Sequence, residues 1–386
     1  MSVDKIDLNN LDKSGWKTYR FDEIAQNISE RVDPNNTDLK VYIGLEHIDS
    51  ESLHIKRFGT PDDVNGQKLK FYKGDIIFGR RRAYQRKAGI ATCDGFCSAH
   101  ALVLRANPDV IEPDLFPFFL HSDLFMNRAV DISVGSLSPT INWGTLKHQE
   151  FLIPPFNMQK KLAALFQKSD KSVQEQITIL DEMDTAKHAL FNELHKLRYE
   201  KFVNLEDLCT KISSGGTPNR SKQDEYFGGN INWVKTKELN DWLVEDTEEK
   251  ITELGLNNSS AKLYPQKTIL LAMYGVTVGK IGIIQKAMAC NQACCALVVD
   301  EDLVDHWFLF YYLIALRSRL IALSVGSAQP NISSGIIKKL KIPDLDIDTQ
   351  VSYSDKFRQL DVTKISLNEK IISSKNLLNA LTNQVF

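Results

Sequence analysis

Arg80, Arg81, Arg82, Arg86 and Lys87 crowd around Tyr84 with no acidic residue among them. Guanidinium forks beside an aromatic ring suit two tasks: contact with phosphate oxygens, and donation to base edges, guanine above all, in a nucleic-acid groove. An ordinary solvated hairpin would also carry such charge. The surrounding stretch, YKGDIIFGRRRAYQRKAGIATC (residues 72–93), reads as a strand, a charged turn and a second strand. KTILLAMYGVTVGKIGIIQ (267–285) has the same layout, with Gly275 and Gly279 supplying turn chemistry. Its turn is far less basic and offers Tyr274, Thr277 and Lys280.

Other chemistry is harder to find. GVTVGKI (275–281) has three residues rather than four between its glycines, and Ile281 stands where a phosphate-binding loop needs Ser or Thr for magnesium. IPPF (153–156) resembles an amine-holding methyltransferase motif, but Ile153 replaces the accepting Asp or Asn. Cys93 and Cys97, like Cys290 and Cys294, sit in apolar strand-like surroundings with no second ligand pair at zinc-finger spacing. No metal site and no catalytic residue is expected. The net charge of −2 gives no overall basic field, which leaves room for a local patch. Six cysteines without a secretory signal point to reduced thiols in a cytoplasm, and no apolar run is long enough to span a membrane.

The framework around these turns is written twice. SVGSLSPTIN (133–142) returns as SVGSAQPNIS (324–333), an offset of 191 at which Lys147 meets Lys338 and Gln159 meets Gln350. Upstream, YIGLEHI (42–48) faces WVKTKEL (233–239), RFDEIAQNIS (20–29) faces NLEDLCTKIS (204–213), and HALVL (100–104) faces CALVV (295–299). The shifting offsets before the phrase mean loop insertions, and the fixed offset after it means that length matters there. The phrase itself reads as the bend where a globular part gives way to a helix.

That helix is long, since residues 157–200 contain neither Gly nor Pro. A 4-3 spacing runs through Leu162, Phe166, Val173, Leu180, Leu190 and Leu194, and recurs in Tyr353, Phe357, Leu360, Leu367, Ile371 and Leu378. That frame predicts coiled-coil seams, in helices roughly 60 Å and 50 Å long. The expected architecture is α+β: two mixed recognition domains (1–156 and 201–346) in pseudo-two-fold repeat, joined by two long antiparallel helices (157–200 and 347–386). Such helices would also suit a protein scaffold with no DNA role.

The duplicated unit, the S-x-G-S-x-x-P-x-I phrase before each helix and the paired hairpins resemble the specificity (S) subunit of type I restriction–modification enzymes. The resemblance covers essentially the whole chain, with the proline-rich run after the phrase kept in FLIPPFNMQ and reduced to Pro343 in KIPDLDIDTQ. It implies a non-catalytic chain whose domains each read one half of a bipartite double-stranded DNA target. The helices would set the unread spacer, at roughly 15 base pairs between domain centres. They would also dock two methyltransferase (M) subunits, joined by restriction (R) subunits, and S-adenosylmethionine, Mg2+ and ATP would belong to those partners. The implied DNA contacts are Arg80, Arg81, Arg82, Tyr84, Arg86, Lys87, Ser136, Ser138 and Thr140 in the first domain. In the second they are Lys235, Lys237, Tyr274, Thr277, Lys280, Gln329 and Asn331.

Overall fold

The computed structural model describes residues 8, 11–196, 201–322 and 331–386. The chain divides into two compact units, residues 1–179 with 367–386, and residues 180–366. Both are built on one plan. In the first, a four-stranded antiparallel sheet runs in the order Ala25–Ile28, Ala101–Ala106, Ile76–Gly79, Ala88–Ile90. A second sheet runs Arg31–Val32, Lys68–Phe71, Gly95–Cys97, Tyr42–Ile43, its last pair parallel. The second unit repeats this with Cys209–Ser214, Cys294–Val299, Ile269–Ala272 and Ile281–Ile284, and adds Trp242–Val244 at the edge.

The repeated sequence pairs fall on equivalent elements. HALVL and CALVV form the strand beside the hairpin in each sheet. Tyr42–Ile43 and the end of Phe227–Val234 each make a parallel pair and lead into a short 3-10 turn. The apolar runs before the phrase form helices: Phe116–His121 and His306–Ala315 are largely buried, whereas Asp123–Asp131 buries one face and Arg317–Ala322 buries Leu320 alone.

Two continuous helices complete the plan, Phe156–Lys196 with 41 residues and Ile347–Val385 with 39. Leu162, Phe166, Val173, Leu194, Tyr353, Phe357 and Ile371 are buried, while Leu180, Leu190, Leu360, Leu367 and Leu378 are half-buried. The heptad frame therefore marks the inward stripe along both helices. In the first unit Leu162 and Phe166 join a core with Leu378, Leu381 and Val385. In the second, Phe357 stacks between Phe191 and Tyr311, at 4.4 and 4.8 Å between ring centroids. Contacts of this kind add about 0.5–1.5 kcal/mol beyond area burial.

The repeated glutamines explain why length is fixed at the helix starts. Gln159 donates to Val110 O and Pro154 O at 2.9 Å and accepts from Glu112 N at 2.6 Å. Gln350 donates to Leu345 O at 2.8 Å and accepts from Asp305 N at 2.9 Å. Each buried amide staples the first helical turn to the loop before the domain's own helices, so a shift of one residue would leave it unsatisfied.

The phrase does not adjoin the long helix. In the first unit a short helix, Trp143–Leu146, and the strand Glu150–Ile153 intervene. The phrase's backbone is engaged earlier, by the hairpin turn, so it serves that turn rather than the exit. The six cysteines are free. Among the described residues no helix is long and apolar enough to cross a membrane, and no three His, Cys, Asp or Glu side chains gather as a metal site.

Candidate nucleic-acid interface

The hairpin turns, residues 80–87 and 273–280, have equal length and the same closure. Arg81 bridges Thr140 and Tyr274 bridges Asn331, both antiparallel. Ile141 N donates to Arg80 O at 2.9 Å, and Ile332 N donates to Met273 O at 2.8 Å. In the first unit Arg82 N also donates to Pro139 O at 2.7 Å. Each turn is thus sewn to its own phrase by backbone bonds, which leaves its side chains free to differ.

In the first unit this sewing assembles an open groove of about 430 Å3. Arg81, Arg82, Gln85 and Lys87 line it from the turn, Ser138 from the phrase, and Glu46, Ser98 and His100 from neighbouring loops. Arg81, Arg82 and Tyr84 are exposed. Ser138 Oγ is buried with no hydrogen-bond partner. His100 is held below its usual pKa by burial and by Arg81 and Arg80, so the neutral ring has one donor and one acceptor nitrogen. Arg80 faces a separate recess beside Arg31 and Lys68, and its Nε is buried without a partner.

Other implied contacts are already engaged. Arg86 pairs with Asp123 at 2.7 Å and donates to His121 O at 3.0 Å. Lys87 Nζ donates to Leu45 O at 2.6 Å. These two fasten the turn to the domain, with Lys87 still lining the groove's wall. Ser136 is exposed and does not line the groove, and Thr140 Oγ1 donates to Ser138 O at 3.0 Å.

The second unit departs further. Lys235 Nζ lies 3.1 and 3.2 Å from Glu248 and Glu249, and Lys237 also pairs with Glu248. Burial works against the charge on Lys235, yet those carboxylates hold its pKa above the ordinary lysine range. Neither lysine is an unengaged cation awaiting phosphate. Tyr274 is half-buried, Thr277 sits in the turn, Lys280 and Asn331 are exposed, and Gln329 lies outside the described residues. No sequence motif marks a cationic corner on either side of the phrase: Arg319, Lys339 and Lys341 ring a pocket of about 230 Å3 floored by Leu316, Leu320 and Leu340. None of the three pairs with a carboxylate among the described residues. The signal lies in the repeat, whose matching positions are Arg128, His148 and Glu150.

Within the second unit the helix seam carries a half-buried polar knot. Lys187 Nζ lies 2.5 and 2.7 Å from the Asp361 carboxylate oxygens, and Tyr311 Oη donates to Asp361 at 2.9 Å. Burial, then Asp361, pushes the Tyr311 phenol far above its usual range, so it stays a donor.

Comparison with known proteins agrees with the twofold layout. A family model described as type I restriction modification DNA specificity domain matches residues 13–182 and again 199–374. The putative type I restriction enzyme MjaX specificity subunit of Methanocaldococcus jannaschii is 22% identical over 363 residues, 84% of this chain and 81% of that protein. The EcoR124I/EcoR124II specificity subunit of Escherichia coli is 29% identical over 159 residues, 39% of each chain. Among solved structures, the type I restriction–modification S subunit from M. genitalium matches 96% of both chains with a TM-score of 0.61 at 14% identity. A chain from a study of complex assembly and conformational transition of the type I R-M system matches 96% of this chain and 97% of its own, with a TM-score of 0.61 at 20% identity. Both share the fold of this chain.

Proposed function

We infer, for a chain that belongs to the type I restriction modification DNA specificity domain family, that each of its two units reads one half of a bipartite double-stranded DNA target. The chain's role is sequence specificity in a type I restriction–modification system, not catalysis. One observation carries the two-half reading. The same turn, closed by the same backbone bridges, presents arginines in one unit and Tyr274, Thr277 and Lys280 in the other. A duplicated scaffold with unlike chemistry at one place fits two unlike half-sites.

The long helices serve as the ruler for the unread spacer and as the docking surface for two methyltransferase subunits, with restriction subunits completing the assembly. Their continuous helices, each carrying a mostly apolar heptad stripe, support that role. S-adenosylmethionine, Mg2+ and ATP belong to those partners. The complex works in the cytoplasm, consistent with unpaired cysteines. Genome-wide mapping of methylated adenines with and without this gene tests the proposal. A bipartite motif should vanish with the gene, and an unchanged map refutes the reading.

A further inference from the structure

The two reading turns share an unusual backbone. Arg82 and Arg86 have φ of 55° and 51°, and at the same two places Gly275 and Gly279 have φ of 83° and 79°. The turn therefore demands left-handed backbone twice. The second unit meets the demand with glycine, which adopts it freely, and the first meets it with side chains that resist it. Arg86 has a compensating structural role through Asp123 and His121 O. The Arg82 side chain has no hydrogen bond or ion pair among the described residues. A cation kept at a strained position without an internal partner is placed for something outside the chain.

The groove it lines indicates what that is. A pure phosphate site would not include a carboxylate, yet Glu46 lines the same groove as the arginines and its side chain is 66% exposed. Arginine forks donate to adjacent acceptors, and a carboxylate accepts from an amino group. In the DNA major groove a G·C pair presents guanine N7 and O6 as acceptors beside the cytosine N4 donor. Resting on the DNA-reading role above, we propose that the first unit's groove reads a G·C base pair through its major-groove edge, with Arg82 donating to guanine N7 and O6 and Glu46 accepting from cytosine N4. Gln85 and His100 are then available for the neighbouring base edges.

The test uses the full chain assembled with its methyltransferase partner and a duplex library. One half of the selected motif should contain a G·C pair whose replacement by A·T weakens binding roughly five- to hundredfold. Arg82→Gly and Glu46→Ala, which removes the acceptor, should each abolish that preference and leave selection in the other half unchanged. Arg82→Lys, which keeps the charge but loses the planar fork, should weaken the preference while keeping binding to random duplex. Arg82→Gly should also unfold at the same temperature as the parent or a few degrees higher, which rules out misfolding as the cause. A half-site without G·C at the position sensitive to Arg82 overturns the proposal. So does an Arg82→Gly variant that weakens every duplex by one factor, the mark of a phosphate anchor. If the parent complex selects no bipartite motif, the two-half reading itself has failed.

Discussion

Replacing Lys187 by methionine strands a charge inside the second unit. Its ammonium contacts both Asp361 oxygens, at 2.5 and 2.7 Å, and the two side chains retain only 22% and 12% of their exposure. Breaking a fully buried pair from one side costs about 3–5 kcal/mol. The residual exposure and the surviving bond from Tyr311 reduce the expected loss to roughly 2–3 kcal/mol. At about 2–4 °C per kcal/mol for a unit of this size, the midpoint should fall by roughly 4–12 °C. Lys187→Met combined with Asp361→Asn removes both charges, and the asparagine carbonyl still accepts from Tyr311. The double variant should therefore recover more than half of the loss. Calorimetric unfolding of the full chain and the three variants measures this coupling directly. A single variant within about 2 °C of the parent, or a double variant showing only the sum of the singles, would contradict this account of the pair.

His121 should make the first unit acid-sensitive. Burial, opposed by its bond to Ala88 O and reinforced by Arg86, lowers its pKa from 6.5 to about 4. The unfolded chain then binds the proton more readily, so stability present above pH 6.5 declines as pH falls toward 4 and levels off below it. Because the ring keeps some exposure, about 1–2 kcal/mol is expected, and His121→Gln should flatten that part of the denaturation profile. Changing Arg319, Lys339 and Lys341 together to glutamine should reduce the slope of log K against log salt by about 2–3, equally for cognate and random duplex. An unchanged slope would remove that corner from the DNA path. Gly216→Ala should cost about 2 kcal/mol or more in urea unfolding. Its Cβ would collide with the backbone of Ser260 and Ala261, and its carbonyl accepts from buried Trp233 Nε1 at 2.9 Å.

Periodic and repeated features were readable from sequence because they are local. The heptad stripe, the hairpins and the equivalent strands all come from spacing and from matching one copy to the other. Charge pairing was not readable. Lys235 and Lys237 meet Glu248 and Glu249 only because the chain returns beside them, and composition cannot say which acid closes on which base. Arg86 looked like Arg81 in the sequence, and its inward path depends on Asp123 at the start of another helix. The correspondence of Arg82 with Gly275 was available in principle, at an offset of 193. Arginine gives no hint of a left-handed backbone, so the alignment acquires meaning only with the φ angles of the folded chain.

The last helical turns have a consequence for synthesis on the ribosome. Phe386 packs on Phe119, Asn383 exchanges two hydrogen bonds with Asp123, and Lys13 donates to Val385 O, all in the first unit. The second unit, residues 180–366, is nested in sequence inside the first. The unit begun first is therefore the one finished last: its wall stays open while the whole second unit emerges and closes. A premature stop near residue 366 would spare every residue of the second unit and damage the first, although the first 179 residues had all been made.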